Sequence, residues 1–363
     1  MRKSCSGVVL VGAMLAACGG GGNSSNGTSS AQMPSAPKTD AVAVATIGDT
    51  YSYRRTTKDL DNPGTVDAVD YSTRVVNNVA SNGAISVQYL YDISSVGNPS
   101  SYQSWSSIFD IDSSGRMVGS SSFNCQSNPN PAYHLVALYA IADGANWKYS
   151  GLTSASCQAA DQISPVSVTF EDSVSAQEQV TVPAGTFNAF KVTRTETDET
   201  DARTVTRKRT CWWERELGVE VKCIDNTTAM WKSNGVKFSK EATDELMGYS
   251  NQKLARKTDT VIRFVGGWQI SFEGIALNQD VTGKCSVSFE ADGSTKGCRY
   301  SHTGVTFTVT GKVSADGSVM LNLSNGSANQ SFTGKLDNIK KTSGALNPSN
   351  PSNGTWSLSQ NGV

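Results

Sequence analysis

Histidine is almost missing from this chain. Only His134 and His302 occur in 363 residues. That leaves little for acid–base work by imidazole and, with no Cys-x-x-Cys present, too few ligands for a zinc site. Charge is scarce as well: Asp, Glu, Lys and Arg make up 17% of the chain, and the net charge is −1. A near-neutral chain without a clustered basic surface is not built for nucleic acid. No Gly-x-Ser-x-Gly elbow and no His-Glu-x-x-His occurs, which removes two common catalytic frameworks. Gly311-Lys312 has neither the spacing nor the strand-to-helix setting of a phosphate loop. Beyond the first 17 residues no apolar run approaches the roughly 20 residues of a membrane-spanning helix. Carboxylates could still be paired for glycoside hydrolysis, but they are plentiful in any protein. The expectation is a non-enzyme that holds no metal and no cofactor.

What is present begins with the leader. Arg2 and Lys3 precede an apolar run from Val8 to Leu15, and small residues follow at Ala16 and Ala17. This is the layout of a secretory signal peptide over 1–17. Leu15-Ala16-Ala17-Cys18 resembles the lipobox of bacterial lipoproteins. The resemblance implies that Cys18 is acylated and becomes the first residue of the mature chain, anchored in a membrane. Position 19 is Gly rather than Asp, which by the same resemblance implies the outer membrane. Loss of Arg2 and Lys3 shifts the net charge from −1 to −3. Residues 18–42 are rich in Gly, Ser and Asn, with too little apolar surface to fold. They read as a tether, a flexible coil reaching roughly 25 Å.

Eight cysteines occur. Cys5 leaves with the leader and Cys18 takes the lipid, so six remain: Cys125, Cys157, Cys211, Cys223, Cys285 and Cys298. An even number in an exported chain reads as disulfides. Six cysteines allow 15 connectivities in principle. Sequence neighbours fall into the pairs 125–157, 211–223 and 285–298, each closing a short loop at about 3 kcal/mol.

The folded part reads as mostly β, in two antiparallel domains. Residues 43–252 form the first, a curved sheet or half-barrel. Ile85 to Ile93 alternates apolar and polar residues, the period of a half-buried strand. Asn82-Gly83 before it signals a type I′ hairpin, with Tyr71 to Val79 as partner. Trp105 to Asp110 and Arg116 to Ser120 flank a turn at Asp110–Gly115; its Asp-x-Asp-x-x-Gly pattern can open a calcium loop but lacks the remaining ligands. Pro131 to Ala142, with His134 near its start, has helical spacing but is short enough to be extended. Pro183 and Gly185 suit a type I turn between two strands. Acidic residues (Glu196, Asp198, Glu199, Asp201) then precede basic ones (Arg203, Arg207, Lys208, Arg209), as in cross-strand ion pairs on a wet surface. Val-x-Val-Pro-Ala-Gly-Thr-Phe at 180–187, the aromatic pair Trp212-Trp213 and Leu217-Gly-Val-x-Val-Lys222 together resemble envelope β domains of the LolA/LolB type over about residues 165–250. That resemblance implies a concave face able to hold a lipid or other apolar ligand.

Residues 253–262 are polar and basic and read as a linker. Residues 263–363 form the second domain, a small meander sheet or barrel, with short strands punctuated by Asp292-Gly293, Asp316-Gly317 and Asn325-Gly326. Trp268 in its first strand and Trp356 in its last would meet if the sheet closes. The expected role is binding or scaffolding of an envelope protein or lipid partner, with carriage of an apolar ligand as the alternative.

Overall fold

The computed structural model describes residues 45–65, 67–94, 102–111, 116–122, 125–130, 133–134, 143–157, 160–336, 341–346 and 353–360. Among them, strands account for nearly all regular structure. The first set is β1 (Thr50–Asp59), β2 (Ala68–Val79), β3 (Ile85–Ser94), β4 (Tyr102–Ile111), β5 (Arg116–Ser122), β6 (Cys125–Asn130), β7 (Tyr133–His134), β8 (Asn146–Cys157), β9 (Ala160–Val182), β10 (Gly185–Glu199), β11 (Arg203–Glu214), β12 (Val219–Trp231), β13 (Lys237–Asn251) and β14 (Arg256–Thr258). These pair into one 14-stranded sheet in near-sequential order, with β7 beside β5. All its pairings are antiparallel. The sheet curls far enough that β1 pairs with β2 on one flank and β13 on the other. One face is therefore turned inward, and each strand sends every second residue to it.

The hairpin expected at Asn82-Gly83 is present, with a different turn. Ala80 N–H donates to Ala84 O, Gly83 N–H donates to Ala80 O, and Asn82 Oδ1 accepts from Ala84 N–H. Gly83 has φ +84°. This is a three-residue loop, a type I turn closed by a left-handed glycine, rather than a two-residue type I′ turn. The same bonds recur at Glu290–Ser294 around Asp292-Gly293 and at Ser314–Ser318 around Asp316-Gly317. Asx-Gly fits both turns; the extra residue here supplies the Asx side-chain bond that selects the longer one.

The segment read as a linker is structured. Arg256–Thr258 pairs with β13, and Val261–Phe264 forms a 3-10 turn that buries Ile262 and Phe264. Beyond it lie β15 (Gly266–Ala276), β16 (Gln279–Asp280), β17 (Gly283–Phe289), β18 (Thr295–Lys296), β19 (Cys298–His302), β20 (Val305–Val313), β21 (Ser318–Ser324), β22 (Asn329–Lys335), β23 (Lys341–Ala345) and β24 (Gly354–Gln360). They form two sheets, β18-β17-β15-β24-β23 with β16 at the end of β15, and the meander β19-β20-β21-β22. Both contribute to one buried cluster containing Trp268, Ile270, Phe289, Phe307, Leu321, Leu323, Phe332 and Trp356. The first and last strands do pair, with Phe272 opposite Trp356 and Trp268 opposite Gln360. The sheet does not close into a barrel, because β19–β22 split off to face it. Val75, on the outer face of β2, joins this cluster.

Candidate functional site

The inward face of the large sheet holds two kinds of surface. Toward the end where β1 begins, Tyr51, Tyr53, Val182, Phe187, Leu217, Val221, Leu246 and Tyr249 form an apolar cluster. Toward the other end the same face becomes charged. The alternation Phe190/Val192/Arg194/Glu196/Asp198 along β10 keeps one side of the strand inward as apolar residues give way to ionic ones. Register then sets opposite charges against each other across neighbouring strands. Asp172 of β9 opposes Arg194, and Glu196 opposes Arg207 of β11. Arg209 opposes Asp225 of β12. Asp244 of β13 opposes Arg55 of β1, which on its other flank opposes Asp70 of β2. The belt crosses seven adjacent strands.

Asp172, Arg194, Asp198 and Asp225 are buried, and Arg55, Asp70, Glu196, Arg207, Arg209 and Asp244 are half-buried. Arg194 holds Asp172 through two bonds, Nε to Oδ1 at 2.7 Å and Nη2 to Oδ2 at 2.8 Å, with relative exposures of 8% and 0%. The same guanidinium lies 4.0 Å above the Phe170 ring. Arg207 donates to Glu196 and, at 2.5 Å, to Asp198. Arg55 lies 3.5 Å from Asp244 and 3.9 Å from Asp225. Arg74 donates to Glu220 at 2.6 Å and stacks on Tyr53. Burial pushes the Asp198 carboxyl up to about 6, with Arg207 pulling it down and Glu196 adding to the rise. Burial works against the Arg207 charge, yet Glu196 and Asp198 together hold it above the ordinary arginine range. Burial, joined by Arg55, lowers Lys240 to about 8. Burial also raises Asp70.

The charges expected on a wet surface thus divide by strand parity. Glu196, Asp198 and Arg207 turn inward, whereas Glu199, Asp201 and Lys208 stay exposed. Asp172, Arg194, Arg55, Asp70, Asp225 and Asp244 were not singled out from sequence. They are scattered over nearly 200 positions, and only curling of the sheet gathers them. The signal that could have found them is the alternation from Phe190 to Asp198.

Of the cysteines, Cys211 bonds to Cys223 and Cys285 to Cys298. The first bond links register partners on β11 and β12. The second ties β17 of one sheet to β19 of the other. Cys125 and Cys157 are backbone register partners on β6 and β8. Cys18 lies outside the described residues, as do 112–115 of the turn with calcium-loop character and 135–142 of the helix candidate. His134 lies in β7, opposite Arg116. His302 Nε2 is 3.1 Å from Asp280. Bonds from Thr282 and His302 hold that carboxyl down at about 2. Among the described residues no group of three or more His, Cys, Asp or Glu is placed to hold a metal ion.

No family model matches the chain, and no curated protein matches its sequence. Solved structures similar in part include the following three. An exported protein with a YmcC-like fold from Bacteroides fragilis NCTC 9343 has TM-score 0.37 and 12% identity, over 58% of this chain and 99% of its own. A lipoprotein from Parabacteroides distasonis ATCC 8503 has TM-score 0.33 and 14% identity, over 58% and 100%. The hypothetical lipoprotein YmcC from Escherichia coli K12 has TM-score 0.27 and 12% identity, over 57% and 90%. Likeness at these scores carries no argument about function.

Proposed function

We propose that this chain is a lipid-anchored protein of the bacterial outer membrane whose β-rich part binds or scaffolds an envelope partner and catalyses no reaction. The anchor rests on Leu15-Ala16-Ala17-Cys18 behind its charged start and apolar run. The preference for that role over carriage of an apolar ligand rests on the charged belt. A carrier of acyl chains needs an apolar concave face, and on the described strands that face presents guanidinium–carboxylate pairs. An acyl chain laid against them would remove their remaining polar contacts without replacing them, which costs several kcal/mol for each stranded charge. The apolar part of the same face is already filled by Tyr51, Phe187, Leu246 and their neighbours. Three disulfides, with Cys125–Cys157 as the third, would hold the sheets without relying on a large core.

Native mass spectrometry of the Cys18→Ala chain, exported to a periplasm, tests the role. The expected mass is that of the protein alone, short of two hydrogens for each disulfide. A species of lipid mass that leaves on denaturation would favour the carrier. Fractionation tests the anchor: the unmutated chain partitions with membranes and takes up labelled palmitate, whereas Cys18→Ala takes up none.

A further inference from the structure

The far end of the large sheet, away from the start of β1, exposes large apolar side chains. Leu60 is 48% exposed, Met230 38%, Trp231 37% and Val236 53%. They sit on adjoining strand ends. Leu60 N–H donates to Ser239 O at 3.0 Å, Trp231 N–H to Val236 O at 2.9 Å and Lys232 N–H to Ala202 O at 2.9 Å. The ends of β1, β13, β12 and β11 thus form one continuous rim. Singly exposed apolar residues are ordinary; four gathered on one rim need a cover.

Two observations select the cover. The first is charge. Lys58, Arg203, Lys232 and Lys237 stand on these turns among Asp59, Asp61, Asp67, Glu199 and Asp201. The rim is close to neutral, with one net negative charge, and its basic side chains have long stems: Lys232 reaches Glu199 at 2.8 Å, and the Arg203 guanidinium lies 5.2 Å from the Trp231 ring. Tryptophan and snorkelling lysines are side chains suited to the boundary between headgroups and acyl chains. The second is reach. About 27 residues separate Cys18 from Ala45, where the described chain begins. A flexible linker of that length spans about 29 Å root-mean-square. β1 runs from that start to the rim over ten residues, about 30 Å. The tether is as long as the strand it must pass.

We propose that this rim docks on a neutral, zwitterionic lipid surface, and that in the anchored protein this is the bilayer holding Cys18. The geometry rests on the anchor reading above; the affinity of the rim for lipid does not. The test uses the mature chain, residues 18–363 carrying Cys18→Ala, with vesicles of equal parts phosphatidylcholine and phosphatidylethanolamine. The expected result is co-sedimentation that falls about tenfold when Leu60, Trp231 and Val236 are all replaced by Ser, in keeping with interfacial binding through buried apolar area. Binding should be unchanged by added salt or phosphatidylglycerol. Brominated lipid should quench Trp fluorescence in the Cys18→Ala chain and less so after Trp231→Phe. Circular dichroism confirms that the variants fold. Equal sedimentation of the folded variants, or quenching indifferent to Trp231, overturns the proposal. So does a photo-crosslinker at position 236 that reaches a protein and no lipid in intact cells. Absence of palmitate on the unmutated chain would remove the anchor and leave the vesicle result standing.

Discussion

Arg194 and Asp172 show what a buried ion pair demands. Both are almost fully enclosed, and each guanidinium–carboxylate bond is short and well aligned. Such a pair adds little net stability over an apolar pair of equal volume, because each charge has lost its water. Removing one partner is different, since it strands the other. Arg194→Ala should therefore destabilise the protein by about 3–5 kcal/mol, measured as a lowered urea midpoint. The double change Arg194→Met with Asp172→Leu should recover most of that loss. A double variant as unstable as the single one would mean that the pair does more than neutralise itself. Trp213 shows a lesser tension: it is buried beside the Cys211–Cys223 bond, and its Nε1 finds no acceptor among the described residues.

At the scale of elements, alternation was legible and closure was not. Ile85 to Ile93 reads as a strand from its period and is one, paired with Ala68–Val79. The Asx-Gly punctuation marked the hairpins of both parts, although the loop at Asn82-Gly83 is a residue longer than the usual two-residue form. In the second part, Gly274 and Gly354 face each other in register where β15 meets β24. Their φ values are +121° and +123°, and a Cβ on Gly274 would lie 2.1 Å from Asn353 O. Only two residues without side chains allow the backbones to come this close. Gly274→Ala should cost about 2 kcal/mol or more, from the backbone strain and the clash together. Thermal unfolding would register it, and a variant of unaltered midpoint would show that the strand ends separate freely.

The belt makes stability of the whole molecule depend on pH in two windows. Asp198 ionises near 6 in the folded protein and near its ordinary 3.8 when unfolded. Between these values the folded state keeps a proton that the unfolded chain has lost. Its contribution is complete below 3.8 and disappears as pH rises through 6. Lys240 has the opposite sense: lowered to about 8 from 10.5, it binds fewer protons folded than unfolded, so stability rises across that upper window. Asp198→Asn should flatten the acid limb and Lys240→Met the alkaline one, read from urea midpoints against pH. Limbs that persist in these variants would assign the titration to other members of the belt. Sequence by itself determined many of the strands, the places of their turns, and the pairs Cys211–Cys223 and Cys285–Cys298, because period, turn chemistry and short loops are local properties. It also carries Leu15-Ala16-Ala17-Cys18 behind an apolar run, a motif that needs no fold to be read. Tertiary structure decided which face is enclosed, that the last strands split into two facing sheets, and that charges from Arg55 to Asp244 share one belt. Those outcomes depend on curvature and register summed over many strands, and a two-residue period carries no record of either.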